Sequence, residues 1–209
     1  MPDFPENTLP RWRGFNLLYF FTTRSDYTPV EDDFRWIADW GFDFVRIPMC
    51  YRLWTDPNDI CRIDKRVIER IDETIDLGRR SGLHVSLNFH RAPGYSVNKE
   101  CSEPFDLWHD REALDAFCFH WRFFAERYRG IPSDQLSFDL VNEPPAPSED
   151  GMTRADNARV VRTAFQSIRD VDPDRLIIAD GLGYGNDPML ELADLGIAQS
   201  CRGYLPAEI

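Results

Sequence analysis

Apolar and polar positions along the chain switch repeatedly between the period of a strand and that of a helix. The run "WRGFNLLYFF" (12–21) reads as a buried strand. "TPVEDDFRWIADWG" (28–41) predicts a helix, with Thr28 as N-cap, Pro29 at the first helical position, Glu31 completing a capping box and Gly41 closing the end. "FDFVRIPM" (42–49) is the second strand. In "DKRVIERIDETIDLGRRSG" (64–82), Val67, Ile71 and Ile75 recur every fourth residue beside Ile68, and Gly82 stops the helix. "LHVSLNFHR" (83–91) is the third strand, followed by a loop to about Asp110 that is long enough to be functional. Leu114, Phe117, Trp121, Phe124 and Tyr128 form the stripe of a third helix, and "LSFDLVN" (136–142) the fourth strand. A fourth helix from near Arg154 buries Val161, Ala164, Phe165 and Ile168. "RLIIADG" (175–181), a short helix "DPMLELADLG" (187–196) and "IAQSCRGYLP" (197–206) complete six strands separated by five helices.

Near-continuous apolar strands mean that both faces of the sheet are covered, which implies a parallel sheet. Alternating strands and helices then imply right-handed crossovers. An open doubly wound sheet and an eight-stranded (β/α)8 barrel both fit. No glycine-rich phosphate loop follows the first strand, so the nucleotide-binding form of the open sheet loses its main support. The 209 residues read as a single α/β domain.

Composition narrows the ligand. Fifteen Phe and six Trp exceed what packing alone needs, and some of them suit a flat, apolar-faced ligand such as a sugar ring. A formal charge of −12 argues against nucleic acid and acidic polymers and leaves a neutral substrate open. The first twelve residues have no basic start and no apolar stretch, so no signal peptide is expected in the sequence as written, and no run is long enough to span a membrane. The five cysteines form no CxxC pair and read as reduced thiols. The four histidines are not at ligand spacing with them, so no metal or other cofactor is expected.

In parallel α/β folds, chemistry gathers at the C-terminal ends of the strands. Those ends carry Arg46, then Asn88 with His90 and Arg91, then Asn142-Glu143-Pro144, then Asp180, then Arg202 with Tyr204. Each has an ordinary structural role open to it: an ion pair for Arg46, a satisfied rim position for His90, a turn for Asp180. Together they point to a site, because independent surface roles have no reason to converge on one face. Trp54 and Trp108, in the loops after strands two and three, are candidates for sugar stacking or for loop packing. Trp12, Trp36, Trp40 and Trp121 fall on core or helix stripes, and His84 and His120 read as structural.

"RGFN" (13–16), "FVRIP" (44–48), "LNFHRAPGY" (87–95) and "LVNEP" (140–144) resemble, in order and spacing, the strand-end signatures of glycoside hydrolase family 5, the cellulase family on a (β/α)8 TIM barrel. The resemblance implies a retaining β-glycosidase of the endoglucanase type, acting on β-1,4-glucan or a related neutral polysaccharide. It implies Glu143 as acid/base, Asn142 on the sugar 2-hydroxyl, Arg46 supporting the nucleophile, His90 in the subsite before the cut, and Tyr204 near the nucleophile. Retention needs two carboxyls about 5–5.5 Å apart, one protonated and one ionised.

The resemblance also sets an expectation of incompleteness. The family nucleophile is a Glu ending strand seven, and neither Glu191 nor Glu208 has that context. Arg202 stands where a His commonly precedes the Tyr. A barrel of six strands leaves the edges of strands one and six open, so a complementary C-terminal segment or a homo-oligomer is expected to cover them. A non-catalytic sugar-binding relic of the same fold is the alternative.

Overall fold

The computed structural model describes residues 9–23, 28–98 and 102–204; Cys101, Glu208 and the first eight residues lie outside them. Six strands run parallel in one curled sheet and neighbour one another in chain order. They are β1 (Gly14–Asn16), β2 (Phe44–Cys50), β3 (His84–Ala92), β4 (Leu136–Asp139), β5 (Leu176–Asp180) and β6 (Ala198–Ser200). Between them lie α1 (Glu31–Asp39), α2 (Lys65–Arg80), α3 (Arg111–Arg127) and α4 (Arg154–Arg169). A doubly wound sheet would reverse its order about the first strand. Sequential order throughout is the arrangement of the (β/α)8 barrel, of which six strands are present among the described residues.

The core has two sides. Val45, Ile47 and Met49 of β2, Val85, Leu87 and Phe89 of β3, and Phe138 of β4 are fully buried. Ile68, Ile71 and Ile75 of α2, and Phe117, Trp121 and Phe124 of α3, close over them. Phe89 and Trp121 stack with ring centroids 4.2 Å apart. At Gly78 a Cβ would lie 2.5 Å from a Val85 methyl, so α2 rests its backbone on β3 there. Asp64 caps α2 by accepting the Arg66 backbone N–H at 3.0 Å. Thr153 and Asp156 form a full capping box on α4.

Several expectations are corrected. Helix α1 begins at Glu31 behind Val30, so Thr28 is not its cap and Pro29 is not its first residue. The consecutive acids Glu31, Asp32 and Asp33 supply negative charge to the free N–H groups instead. The buried strand read over 12–21 is ladder only at Gly14–Asn16, which is exposed. Its apolar end, Phe20, is buried and makes a single bridge to Met49. A Cβ at Gly14 would fall 1.6 Å from the Phe44 carbonyl oxygen, which is why β1 can reach β2 at all. Trp36 and Trp40 are not core residues: they are 54% and 62% exposed on α1, beside exposed Phe15 and Leu18. The helix read over 187–196 is a 3-10 segment, Leu190–Leu195. His84 and His120 are buried and structural, His84 between the Asp134 carbonyl and the Ser137 hydroxyl. Among the described residues, no helix is long and apolar enough to cross a membrane.

The start of β5 is anchored by a buried guanidinium. Arg175 donates to Asp172 Oδ2 at 2.9 Å, to the Leu136 carbonyl at 2.8 Å, and to the carbonyls of Tyr128 and Ile131 at 3.0 and 2.9 Å. It ties the end of α3 to β4 and β5. Arg175→Met takes from buried Asp172 the guanidinium bonded to it and removes that donor from the Leu136, Tyr128 and Ile131 carbonyls, and is expected to cost about 3–5 kcal/mol, measured by urea denaturation; a loss below 1 kcal/mol would contradict this account.

Candidate active site

The parallel register sets Arg46 opposite Ser86, Pro48 opposite Asn88, and Asn88 opposite Asp139, so the strands end along one rim. Arg46 reaches across from β2 to β4. Its Nε donates to Asp139 Oδ2 at 2.8 Å and its Nη2 to Asn142 Oδ1 at 2.9 Å. The amide of Asn142 is thereby oriented with its nitrogen away from Arg46. Its backbone N–H donates to the Phe89 carbonyl at 3.0 Å, extending the β3–β4 contact past the strand.

Glu143 has φ of 49°, in the left-handed region that non-glycine residues seldom occupy. Such a conformation persists when its surroundings over-determine it, and here they do. The Glu143 N–H donates to Asp180 Oδ2 at 2.9 Å, and its carbonyl accepts the Tyr95 hydroxyl at 2.6 Å. The next two carbonyls, of Pro144 and Pro145, accept the N–H groups of Tyr184 and Gly183 at 2.9 and 3.2 Å. The two prolines thus restrict φ and also join the exit of β4 to the turn after β5. The Glu143 side chain is 16% exposed. Its Oε1 accepts the Tyr204 hydroxyl at 2.5 Å and lies 3.5 Å from Arg202 Nε.

Asp180 is buried and receives Arg202 Nη2 at 2.5 Å on the oxygen that also holds Glu143. Burial, then the charge of Asp139, push its carboxyl up to about 7 against the pull of Arg202, Arg46 and the Glu143 N–H. His90 is driven down to about 3, first by burial and then by the charges of Arg46, Arg91 and Arg202, so its imidazole is neutral at ordinary pH. Its ring packs on Phe21, centroids 4.5 Å apart. The Asn142 amide nitrogen and His90 Nδ1 are neighbours, both buried and neither in a well-formed hydrogen bond among the described residues.

The structure therefore brings Arg46, His90, Asn142, Glu143, Asp180 and Tyr204 together. It does not bring Trp54 or Trp108. Trp54 is 0% exposed, wedged against Phe89 and Phe124, with its indole N–H on His120 Nδ1 at 3.3 Å. Trp108 is buried edge-on against Tyr95. Packing has taken both rings, so neither can stack on a sugar. Sequence reasoning missed Asp139, the ion-pair partner of Arg46, although an acid inside "LSFDLVN" is a signal for it. It also missed Tyr95, delivered by a short strand (Tyr95–Ser96) that folds back on β3, and it placed Arg202 at a strand end without seeing that it bonds Asp180 beside Glu143. Among the described residues, no three His, Cys, Asp or Glu side chains are placed to hold a metal ion. Cys61, Cys118 and Cys201 are free thiols.

Chemically, the rim offers one carboxyl with access to solvent, an amide, a neutral imidazole and phenols. Asp139 and Asp180 are each buried and bound to a guanidinium, with no surface for a ligand.

A family model, cellulase (glycosyl hydrolase family 5), matches residues 3–199. Cellodextrinase A of Ruminococcus flavefaciens is 36% identical over 57% of this chain and 34% of its own length. Endoglucanase C of Acetivibrio thermocellus is 28% identical over 79% of this chain and 46% of its own. A crystal structure of a glycoside hydrolase superposes with a TM-score of 0.88 at 43% identity, covering 93% of this chain and 60% of that one. The chain thus spans less than half the length of these two relatives.

A neutral His90 has a measurable consequence. In the unfolded chain an imidazole takes up a proton below about 6.5, whereas in the folded protein His90 does so only near 3. Its contribution to stability is full above about 6.5 and lost as pH falls toward 3. Its ring carbon resonance, followed by NMR, is expected to stay flat from pH 8 to pH 5; a midpoint above 5 would contradict the assignment.

Proposed function

The chain belongs to glycoside hydrolase family 5, the cellulase family, and on that premise we propose that it is the acid/base-bearing part of a retaining β-glycoside hydrolase of the endoglucanase type. Its substrate in this reading is β-1,4-glucan or a related neutral β-linked chain. The observation that supports it most is Glu143: a carboxyl held in a left-handed turn at the end of β4, open to solvent, with Asn142 and His90 beside it. The acidic chain, at −12, suits a neutral polymer better than a charged one.

In this mechanism a second carboxylate attacks the anomeric carbon while Glu143 gives its proton to the departing glycosidic oxygen. The bond from the anomeric carbon to that oxygen breaks, and a glycosyl-enzyme ester forms. Glu143, now ionised, takes a proton from water; the water oxygen attacks the same carbon, and the second carboxylate is released. In this reading the Asn142 amide, which lies beside His90, turns to the sugar 2-hydroxyl, where hydrogen bonds strengthen as positive charge builds on the ring. The second carboxyl is assigned to a strand beyond β6. Asp139 and Asp180 are buried, and Glu191 faces outward in an ion pair with Arg154 at 2.6 Å. The shortage of a second substrate-facing carboxyl among the described residues also favours a second reading, sugar binding without turnover.

The open edges enter the proposal too. Among the described residues β1 and β6 each have a neighbour on one side only, and exposed Phe15 of β1 lies beside exposed Trp36 and Trp40. In our reading a complementary segment carrying further βα units, or a second copy, covers them. The 209-residue chain is expected to self-associate or to bind such a segment. Sedimentation of a lone, soluble monomer at tens of micromolar that ignores an added segment would argue against it.

Glu143→Gln, in a chain extended by the remaining βα units, is expected to slow hydrolysis of carboxymethyl-cellulose by about 10²–10⁴-fold. The loss should be smallest for aryl glycosides whose leaving group departs without a proton. The 209-residue chain alone should bind oligosaccharide and hydrolyse none. An extended Glu143→Gln chain of undiminished activity would refute the acid/base role, and turnover by the short chain would refute the missing carboxyl.

A further inference from the structure

With Trp54 and Trp108 buried, the rim lacks the aromatic platforms that the sequence offered. The strongly exposed rings among the described residues are Phe15, Trp36 and Trp40 near the β1 edge, Phe119 on α3, Tyr184 and Tyr204. Only the last two follow the C-terminal ends of strands, and the Tyr204 hydroxyl is committed to Glu143. Tyr184 is 47% exposed, in the turn Leu182–Gly185 directly after β5.

The backbone of this turn is unusual. Gly183, Tyr184 and Gly185 all have positive φ, at 58°, 62° and 88°. Two of the three positions hold the residue that tolerates this at no steric cost, and the middle one holds a bulky aromatic. A tyrosine there is strained, on the order of 1 kcal/mol or more, and a glycine would fit better. The ring does not recover that cost as core, since nearly half of it faces solvent. What the turn does achieve is placement. The Tyr184 N–H donates to the Pro144 carbonyl at 2.9 Å and the Gly183 N–H to the Pro145 carbonyl at 3.2 Å, so the backbone that carries the ring is pinned to the residue after Glu143. Its phenol is close enough to that of Tyr95, which holds the Glu143 carbonyl, to perturb it electrostatically. Arg202 packs against Gly185 and backs the turn.

We infer that Tyr184 is a specificity-determining platform: its exposed ring stacks on a neutral pyranose unit bound on the β5 side of Glu143, the opposite side from Arg46 and His90. The inference rests on the reading of this rim as a sugar site. An aromatic face suits the apolar C–H face of an equatorially substituted pyranose and has no attraction for an anionic sugar. The platform is joined to the acid through two backbone hydrogen bonds, so a sugar seated on it is held at a fixed offset from the carboxyl.

The test is calorimetric titration of the 209-residue chain with cellotetraose, mannotetraose and xylotetraose. Tyr184→Ala is expected to weaken the best of these about tenfold, and Tyr184→Phe to stay within about twofold. Tyr184→Gly should lose affinity as Tyr184→Ala does while keeping or raising the thermal midpoint, because glycine relieves the turn. That combination separates a ligand role from a structural one. A Tyr184→Ala or Tyr184→Gly chain that is folded and binds within twofold of the unaltered chain overturns the platform alone. An unaltered chain that binds none of the three sugars overturns the sugar site, and the platform with it.

Discussion

A single carboxylate oxygen, Oδ2 of Asp180, accepts both the backbone N–H of Glu143 and the guanidinium of Arg202. The first bond stabilises a left-handed residue at the end of β4; the second places a cation 3.5 Å from the carboxyl of that residue. Direction of the side chain and local charge are therefore set by one buried atom. Without it Glu143 could relax to an ordinary extended conformation and turn its carboxyl elsewhere. Arg46 plays the matching part on the other flank, binding Asp139 and Asn142 together. Two arginines, each shared between a buried acid and a residue at the rim, clamp the Asn142-Glu143 pair from both sides.

Much of the fold was legible in the sequence because a covered parallel sheet leaves a simple mark. The apolar run 83–91 emerges as β3 and the run 136–142 contains β4, and of the α2 stripe Ile68, Ile71 and Ile75 are buried while Val67 is only partly so. The failures are local and have physical causes. Residues 12–21 are apolar enough for a buried strand, but Gly14–Asn16 pair on one side only and lie exposed. The acids of α1 outweigh the capping residues that precede them. Trp36 and Trp40 sit on an apparently apolar stripe that nothing covers among the described residues.

The candidate site was legible to the extent that strand ends can be numbered. Arg46, His90, Asn142, Glu143, Asp180 and Tyr204 are near one another because parallel register forces them to be. What pattern could not convey is which groups pair. Asp139 lies inside a strand, and its role appears only when β2 is set two strands away with Arg46 aimed across β3. Trp54 failed for the reverse reason. A loop tryptophan looks available until His120 and Phe124 arrive from α3 to enclose it.

Pro144 and Pro145 have no N–H to offer, so both hydrogen bonds between this pair and the turn after β5 run one way, from Gly183 and Tyr184 into proline carbonyls. That makes the seam intolerant of changes in length. One residue inserted between 181 and 183 would shift both donors out of register with the proline carbonyls. Change at this end of the rim is thus confined to side-chain exchange at position 184, where the ring leaves the pinned backbone.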